Sequence, residues 1–130
     1  MKVITIKQPW ATLIAKGYKK YEFRTWKTHY RGDILIHAGI SVNKKVLERF
    51  KEYNLEYPTG KIIAKATLTD CLEVDEKFRS EVIPTNPLVY RGISDTEWKG
   101  YGFKLENIEE IDPIDIKGQL GLWNYDYKNK

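Results

Sequence analysis

The basic segment of this chain is residues 8–39, QPWATLIAKGYKKYEFRTWKTHYRGDILIHAG. It combines two tryptophans, two histidines and six Lys or Arg side chains with Glu22 and several short apolar runs. A segment that served packing alone would not need this mixture, because charged side chains are rarely buried without a partner. We therefore expect both the fold and any binding site to be organised around residues 8–39.

Apolar spacing divides the first half of this segment into a helix and a strand. Trp10, Leu13 and Ile14 recur at helical spacing, which predicts a short helix over 9–16. The following residues alternate between apolar and polar side chains, which predicts a strand over 20–26. The charged face of that strand consists of Lys20, Glu22, Arg24 and Trp26. A face that mixes both charge signs with a tryptophan indicates the wall of a groove.

The rest of the chain supplies short strands and a few helices. Runs of β-branched and aromatic residues predict strands over 2–7, 33–38, 61–74, 100–105, 108–112 and 119–123. Amphipathic spacing and capping residues predict helices over 43–53 and 75–82, and residues 83–98 indicate a long surface loop. Many short strands with two to three peripheral helices favour an α+β fold built on a curved sheet or small barrel. We predict a single domain over 1–130.

Composition narrows the class of protein. The chain is 42% hydrophobic and 13% aromatic, which supports a packed core and argues against disorder. No apolar run approaches the roughly 18 residues of a membrane span, and the first residues lack the apolar stretch of a signal peptide. Cys71 is the one cysteine, so neither a disulfide nor a zinc cluster is expected. We expect a cytoplasmic protein without a metal or cofactor; the oligomeric state stays open.

Charge is distributed unevenly along the chain. Residues 1–45 carry ten Lys or Arg and two acids, a net charge of +8, whereas residues 46–130 carry twelve and sixteen, a net charge of −4. The basic third is therefore a candidate anion-binding surface, and nucleic acid is the commonest large polyanion. A solvated basic face is the alternative interpretation.

Several short motifs occur in an order that is characteristic of one family. They are Gln8-Pro9-Trp10-Ala11, Gly17-x-Lys19-x-x-Glu22-x-Arg24-x-Trp26, Tyr30-Arg31-Gly32, Tyr57-Pro58-x-Gly60, Asp70-Cys71-Leu72 and Gly118-x-x-Gly121-Leu122-Trp123. Together they resemble the ASCH domain family of the PUA-like superfamily, which includes the C-terminal domain of activating signal cointegrator, a transcription coactivator. The resemblance covers most of the chain and is weakest across 75–105.

The resemblance implies a PUA-like β-barrel and a cleft whose floor carries Lys19, Glu22 and Arg24. It also implies RNA or nucleic-acid binding and coactivator roles, and some small bacterial relatives are described as ribonucleases. A more distant group hydrolyses N4-acetylcytidine with a lysine, a threonine and a later glutamate. Aligned on that group, this chain keeps the lysine as Lys19 but has Glu22 at the position of the threonine.

Each candidate side chain has a chemistry that suits a nucleotide. Arg24 offers a planar fork for phosphate or a base edge, Lys19 offers a compact charge, and Glu22 would orient both. Trp10 or Trp26 could stack on an unpaired base. The remaining ligand-binding candidates are Gln8, for a base edge or for fixing its loop, and Tyr101, for its hydroxyl group.

Structural roles are the alternative for the same residues. Trp10 and Trp26 are large aromatic side chains of the kind that anchor cores. Glu22 and Arg24 can form a structural ion pair on one strand face. His37 is interpreted as a packed or hydrogen-bonded histidine rather than a catalyst, because it has no carboxylate or second histidine at ligand spacing.

Three functions remain open on the sequence. The leading hypothesis is a domain that binds RNA, single-stranded nucleic acid or a nucleoside-like molecule in a basic cleft. The second is a small hydrolase, a ribonuclease or modified-nucleoside amidohydrolase, with Lys19 and Glu22 as catalytic groups. The third is a protein-interaction domain, whose main surface feature would be an exposed apolar patch. The chain has no Ser/His/Asp set or glycine-rich phosphate loop that would demand turnover.

Overall fold

The computed structural model describes residues 1–128; residues 129 and 130 of the predicted single domain lie outside the described residues. The strands are β1 Lys2–Gln8, β2 Tyr21–Arg24, β3 Gly32–Val42, β4 Lys61–Glu73, β5 Tyr101–Asp115 and β6 Leu122–Asn124. The helices are α1 Trp10–Ala15, α2 Lys44–Arg49, α3 Glu76–Val82 and α4 Pro87–Tyr90. Single 3-10 turns occupy Lys51–Tyr53, Ile83–Thr85 and Arg91–Ser94.

The strands form one mixed sheet in the order β2-β5-β4-β3-β1-β6. β1 and β3 run parallel, and the other neighbours are antiparallel. One face of the sheet packs on α1 through isoleucines and alanines that are almost fully buried, including Ile4, Ile6, Ile14, Ile34 and Ile36. Burial of each such isoleucine contributes about 1.5–3 kcal/mol to folding. The predicted α+β class is confirmed, and the sheet with α1 behind it is the frame that holds the site.

The sheet is not closed into a barrel, which corrects the predicted PUA-like barrel. β6 pairs only with residues 2–4 of β1, and β2 has only four residues. The two edge strands therefore do not pair with each other within residues 1–128. Instead, Nη2 of Arg24 at the end of β2 donates a hydrogen bond of 2.7 Å to the carbonyl oxygen of Thr5 on β1. A gap remains between β1 and β2.

Other boundaries differ from the sequence prediction for local reasons. The predicted strands 100–105 and 108–112 are one continuous strand, β5. Asn107, with φ of 52°, lies inside it where the register against β4 shifts. The predicted loop 83–98 contains α4 and two 3-10 turns. The side chain of Asn86 accepts a hydrogen bond from the backbone N–H of Val89 and so caps α4. The structure thus has four helices in residues 1–128, where two to three were expected.

Several predicted elements are confirmed. α1 lies within the predicted helix 9–16, and Gly17, with φ of 83°, follows its end as expected of a left-handed cap. Asn43 caps α2 by accepting a hydrogen bond from the N–H of Val46. Among residues 1–128, none of the helices has the length and apolar character needed to cross a lipid bilayer.

Candidate functional site

A cavity of about 730 Å³ lies in the gap between β1 and β2, and we call it the gap cavity. Its walls come from β1, β2, the end of β3, the α4 region and the loop 117–120. The side chains that line the cavity include those of Thr5, Lys7, Trp10, Lys19, Glu22, Phe23, Arg24, His37, Ile40, Lys117 and Leu120. Its volume falls in the range of about 300–1,000 Å³ that is typical of small-molecule sites.

Three charged side chains on the gap cavity, Lys19, Glu22 and Arg24, form a connected group that we call the ionic floor. Nζ of Lys19 donates to Oε1 of Glu22 at 2.9 Å. Nη2 and Nε of Arg24 donate to the other carboxylate oxygen at 2.9 and 3.2 Å. Lys19 is 3% and Glu22 7% exposed, so water screens their interaction weakly. Glu22 thus holds two cations in fixed positions.

The local fold explains why these side chains converge. After α1, the backbone N–H groups of Tyr18 and Lys19 both donate to the carbonyl oxygen of Leu13, which turns the chain back toward the sheet. β2 then begins, and its pairing with β5 places Glu22 opposite Phe103. The predicted alternation of this strand is therefore what brings Glu22 and Arg24 to the same side.

Burial and charge act on the floor in opposite senses. Burial alone would raise the pKa of Glu22, but Lys19 and Arg24 together outweigh it and hold that pKa below its ordinary value of 4.5. Burial lowers the pKa of Lys19 from its ordinary value of 10.5; Glu22 opposes this effect and Arg24 adds to it. With all three groups ionised, the ionic floor carries one net positive charge.

Aromatic rings form the walls next to the ionic floor. Nζ of Lys19 lies 5.3 Å from the ring centroid of Trp10 and 4.9 Å from that of Phe23, within the range of cation–π contacts. The rim differs in character, since Lys7 and Lys117 are exposed there. The cavity therefore combines a charged floor, aromatic walls and a basic rim.

Two large apolar side chains at the same rim are exposed to solvent. Ile40 is 83% and Leu120 is 98% exposed. They belong to different elements, since Ile40 lies on β3 and Leu120 lies in the loop before β6. The exposed apolar surface at these two positions is thus part of the cavity mouth.

The structure brings four of the seven sequence-predicted site residues to the gap cavity: Trp10, Lys19, Glu22 and Arg24. Gln8 lies outside its lining, where its amide nitrogen donates to Thr12 and to the Pro58 carbonyl, both at 2.7 Å. Its amide oxygen accepts from the Thr12 N–H, so Gln8 fixes the junction of β1 and α1. This position matches the loop-fixing alternative.

Trp26 and Tyr101 also lie outside the lining of the gap cavity. Trp26 packs edge-on against Phe103, with ring centroids 5.1 Å apart. Tyr101 pairs with Arg24 in the β2–β5 ladder but is absent from the lining. The sequence prediction grouped Trp26 with the ionic floor because it extended the strand alternation to residue 26. The strand β2 ends at Arg24, so the alternation stops before Trp26.

Sequence reasoning missed Thr5 and the loop 117–120, and it did not assign His37 to the cavity. His37 is 1% exposed and lies beside Thr5 in the parallel β1–β3 pair. Its Nε2 lies 2.6 Å from the Ile116 carbonyl oxygen, which can only accept, so Nε2 carries the proton. Within residues 1–128, Nδ1 has no hydrogen-bond partner. The hydrogen-bonded interpretation of His37 agrees with this geometry, but its pairing depends on contacts distant in sequence.

Within residues 1–128, no three His, Cys, Asp or Glu side chains are arranged to hold a metal ion. The ionic floor and the walls offer a ligand two cations, one carboxylate, an imidazole, a threonine hydroxyl and two aromatic rings, and the rim adds two lysines.

The sequence and the fold of the chain agree with a known family. Residues 4–114 match the family model for the ASCH domain, and the chain belongs to the ASCH domain family. It is 28% identical over 138 residues to activating signal cointegrator 1 of Homo sapiens and 26% identical to that of Mus musculus. Each comparison covers 96% of this chain but 22% of the relative, so the chain spans about a fifth of these curated proteins.

Solved structures support the same fold. The ASCH protein of Zymomonas mobilis has a TM-score of 0.57 at 20% identity, covering 88% of this chain and 72% of that one. A substituted form of that protein gives a TM-score of 0.61 at 22% identity, with 88% and 73% covered. At this level of identity the similarity concerns the fold alone.

Proposed function

We propose that this protein binds single-stranded RNA or a nucleotide-like ligand, with one nucleoside unit inside the gap cavity. The observation that carries the proposal is the ionic floor, which presents a net positive charge inside a cavity walled by aromatic rings. Charged groups are rarely buried unless they are paired or serve a site. Glu22 neutralises one of the two cations, which leaves the charge of the second for an anionic or strongly polar ligand.

The components of the cavity match the parts of a nucleotide. The side chain of Arg24 is 22% exposed and lines the cavity, so a ligand can reach it while Glu22 holds it in place. Trp10 and Phe23 offer ring surfaces, and stacking on such rings contributes about 1–3 kcal/mol per base in proteins that bind single strands. Lys7 and Lys117 at the rim can contact the phosphate backbone.

Two further facts favour nucleic acid over another anion. The family is associated with RNA or nucleic-acid binding. Residues 1–45, which carry a net charge of +8, include Lys7, Lys19 and Arg24 of the cavity lining. The basic third of the chain is therefore the part that supplies these cations to the site. A transcription-linked or RNA-linked regulatory role, in the cytoplasm or elsewhere, would use the same binding site.

The test is RNA binding by variants that leave the buried residues intact. Fluorescence anisotropy with a labelled single-stranded RNA decamer would compare the wild type with the double variant Lys7→Gln/Lys117→Gln. The control is Lys44→Gln/Lys77→Gln, which removes the same charge from exposed positions outside the cavity lining. We expect the rim variant to bind more weakly and its salt slope to fall by about 0.7 for each lost phosphate contact. Equal weakening in both variants, or absence of wild-type binding, would refute the proposal.

A small hydrolase is the second candidate, favoured by one observation. Lys19 is a buried amine with a lowered pKa beside a carboxylate on the cavity floor, and such a lysine suits general acid–base catalysis. It would act on RNA or on a modified nucleoside in the same cavity. Purified protein would be incubated with RNA and with N4-acetylcytidine, and products would be detected by mass spectrometry. Product that disappears in a folded Lys19→Gln variant would support catalysis; absence of product from the wild type would argue for binding alone.

A further inference from the structure

The strand β1 has an open main-chain edge along the gap cavity. β6 pairs with β1 only over residues 2–4, whereas β1 continues to Gln8. Peptide groups of alternate residues in a strand point to the same edge. The carbonyl oxygen of Gln8 accepts a hydrogen bond from the N–H of Asn43, just after β3, so the even-numbered residues of β1 face β3. The peptide groups of Thr5 and Lys7 therefore face the opposite edge.

Hydrogen bonds along β1 confirm this direction. The carbonyl oxygen of Met1 accepts from the N–H of Tyr125, next to β6, and that of Thr5 accepts from Nη2 of Arg24 on β2 at 2.7 Å. The peptide group of Lys7 lies two residues further along the same edge, about 6.6 Å beyond Thr5. Within residues 1–128 its N–H and C=O form no hydrogen bond. Because Lys7 lines the cavity, one main-chain donor and one acceptor are open there.

The strand β2 has an open edge on the other side of the cavity. The carbonyl oxygen of Lys20, just before β2, accepts from the N–H of Leu105 on β5, so the peptide groups of Glu22 and Arg24 also face β5. The peptide group of Phe23 faces away from β5, and within residues 1–128 no second strand pairs with β2. Phe23 also lines the cavity. Its N–H and C=O are therefore a second open main-chain pair.

The two open edges face each other across the gap cavity. β1 is antiparallel to β2, because three antiparallel pairings and one parallel pairing connect them through the sheet. β1 runs from Thr5 to Lys7, away from the bond between Thr5 and Arg24. β2 runs back from Arg24 to Phe23 in the same direction. Both edges thus extend into one cavity, beside the ionic floor and the ring of Trp10.

The short length of these edges decides what can bind to them. A peptide that adds a strand to a sheet forms main-chain hydrogen bonds along several residues, whereas each edge here offers a single open residue. A nucleobase has a donor beside an acceptor on its Watson–Crick edge, and single-strand readers bond this edge directly. A flat base with its edge at the strands also keeps its faces free to contact the aromatic walls.

We propose that the open edge of β1 at Lys7, with the facing edge of β2 at Phe23, binds the Watson–Crick edge of an unpaired base through main-chain hydrogen bonds. This inference rests on the proposed function, because the base belongs to the nucleoside unit in the gap cavity. It narrows the ligand to bases whose Watson–Crick edge is free, since base pairing or methylation removes the donors of that edge.

The experiment compares nucleosides that differ only at this edge. Isothermal titration calorimetry with the wild type would measure the four ribonucleosides against 3-methyluridine, 1-methylguanosine, N6,N6-dimethyladenosine and N4,N4-dimethylcytidine. The matched 2′-deoxynucleosides test whether a ribose hydroxyl occupies the edge instead, and a blocked trivaline peptide tests an added strand. The variants are Lys7→Pro and Lys7→Gln. Both remove the amine, but only proline removes the N–H, and proline is tolerated at a strand edge that lacks a ladder partner.

We expect methylation to weaken binding of the preferred nucleoside about tenfold or more, because the open groups then lose their partner. The 2′-deoxynucleoside should bind within about twofold of the ribonucleoside, since a lost hydrogen bond costs more than this. Lys7→Pro should bind about fivefold more weakly than Lys7→Gln, as for one net hydrogen bond. Equal binding of methylated and unmethylated nucleosides, or equal affinity of the two variants, overturns the inference. A loss confined to the deoxynucleosides assigns the contact to ribose and also overturns it.

A spectroscopic measurement on the wild type tests the same contact without a substitution, so the result does not depend on whether Lys7→Pro folds. On saturation with the preferred nucleoside, the amide protons of Lys7 and Phe23 should move downfield in a ¹H–¹⁵N spectrum. The amide protons of Ile6 and Glu22 face the ladders with β3 and β5 and serve as controls. Shifts of equal size at all four positions would contradict main-chain binding at the open edges.

The remaining outcomes separate this inference from the proposed function. Nucleosides that bind and shift the Trp10 indole signal without discrimination against methylation refute the base-edge contact and leave the proposed function standing. Failure of the wild type to bind any nucleoside or RNA strand refutes both. Binding of the trivaline peptide in place of nucleosides also refutes both and assigns the open edges to an added strand.

Discussion

Replacement of Glu22 by Gln is the sharpest test of the ionic floor. The substitution keeps the shape of the side chain but removes the charge that holds Lys19 and Arg24. Each cation lies 2.9 Å from a carboxylate oxygen, and at an effective dielectric constant of about 20 each contact is worth about 6 kcal/mol of Coulomb energy. Desolvation offsets most of this gain, and the loss of one partner from a buried pair typically costs about 3–5 kcal/mol.

We therefore expect Glu22→Gln to lower the free energy of unfolding by about 3–5 kcal/mol, a large share of the 5–15 kcal/mol of a typical domain. Urea unfolding followed by circular dichroism measures this change. The matched control is Glu56→Gln, because Glu56 is exposed and forms no ion pair within residues 1–128. A loss below about 1 kcal/mol, similar to that of an exposed surface position, would show that Glu22 does not hold two buried charges.

Three further predictions concern the same region. The folded-state pKa of Glu22 lies below 4.5, so the unfolded chain binds more protons there and wild-type stability falls as pH drops below about 4.5; Glu22→Gln should lack this part of the pH dependence in parallel urea titrations. Gln8→Ala should cost about 1–3 kcal/mol in thermal unfolding and leave RNA affinity unchanged, whereas weaker binding by a folded variant would return Gln8 to the site. Gly118→Ala places a Cβ 2.7 Å from Oγ1 of Thr5 and 2.9 Å from Cε1 of His37, so we expect a loss of about 1–3 kcal/mol and weaker ligand binding; unchanged stability and affinity would show that the loop 117–120 yields freely.

The sequence predicted the ionic floor because its residues are close along the chain. Lys19, Glu22 and Arg24 lie within six positions, and strand alternation puts the last two on one face. The helix 9–16 was predictable for the same reason, since its apolar spacing and Gly17 are local signals. Local periodicity is thus sufficient where neighbours in space are also neighbours in sequence.

The remaining parts of the site depend on contacts between distant segments. Thr5, His37 and the loop 117–120 meet only because β1 pairs with β3 in parallel and the chain returns to β1 at its end. Such register is not readable from one strand alone. The prediction that the sheet closes into a barrel was wrong for a similar reason. No local pattern in the sequence reveals that β6 pairs with only part of β1.

Trp10 and Trp26 were indistinguishable in the sequence as stacking residues, and the structure separates them. Trp10 lines the gap cavity beside Lys19, whereas Trp26 packs against Phe103 outside it. The indole N–H signals of the two residues in a ¹H–¹⁵N correlation spectrum therefore report directly on where a ligand binds.

The decisive measurement is a titration of the labelled protein with a single-stranded RNA hexamer of mixed sequence, with each indole signal assigned by a Trp→Phe variant. If the gap cavity holds a nucleoside unit, the Trp10 indole signal shifts in proportion to binding and the Trp26 signal moves little. A saturable shift centred on Trp26, or RNA binding that leaves the Trp10 signal unchanged, would contradict the account.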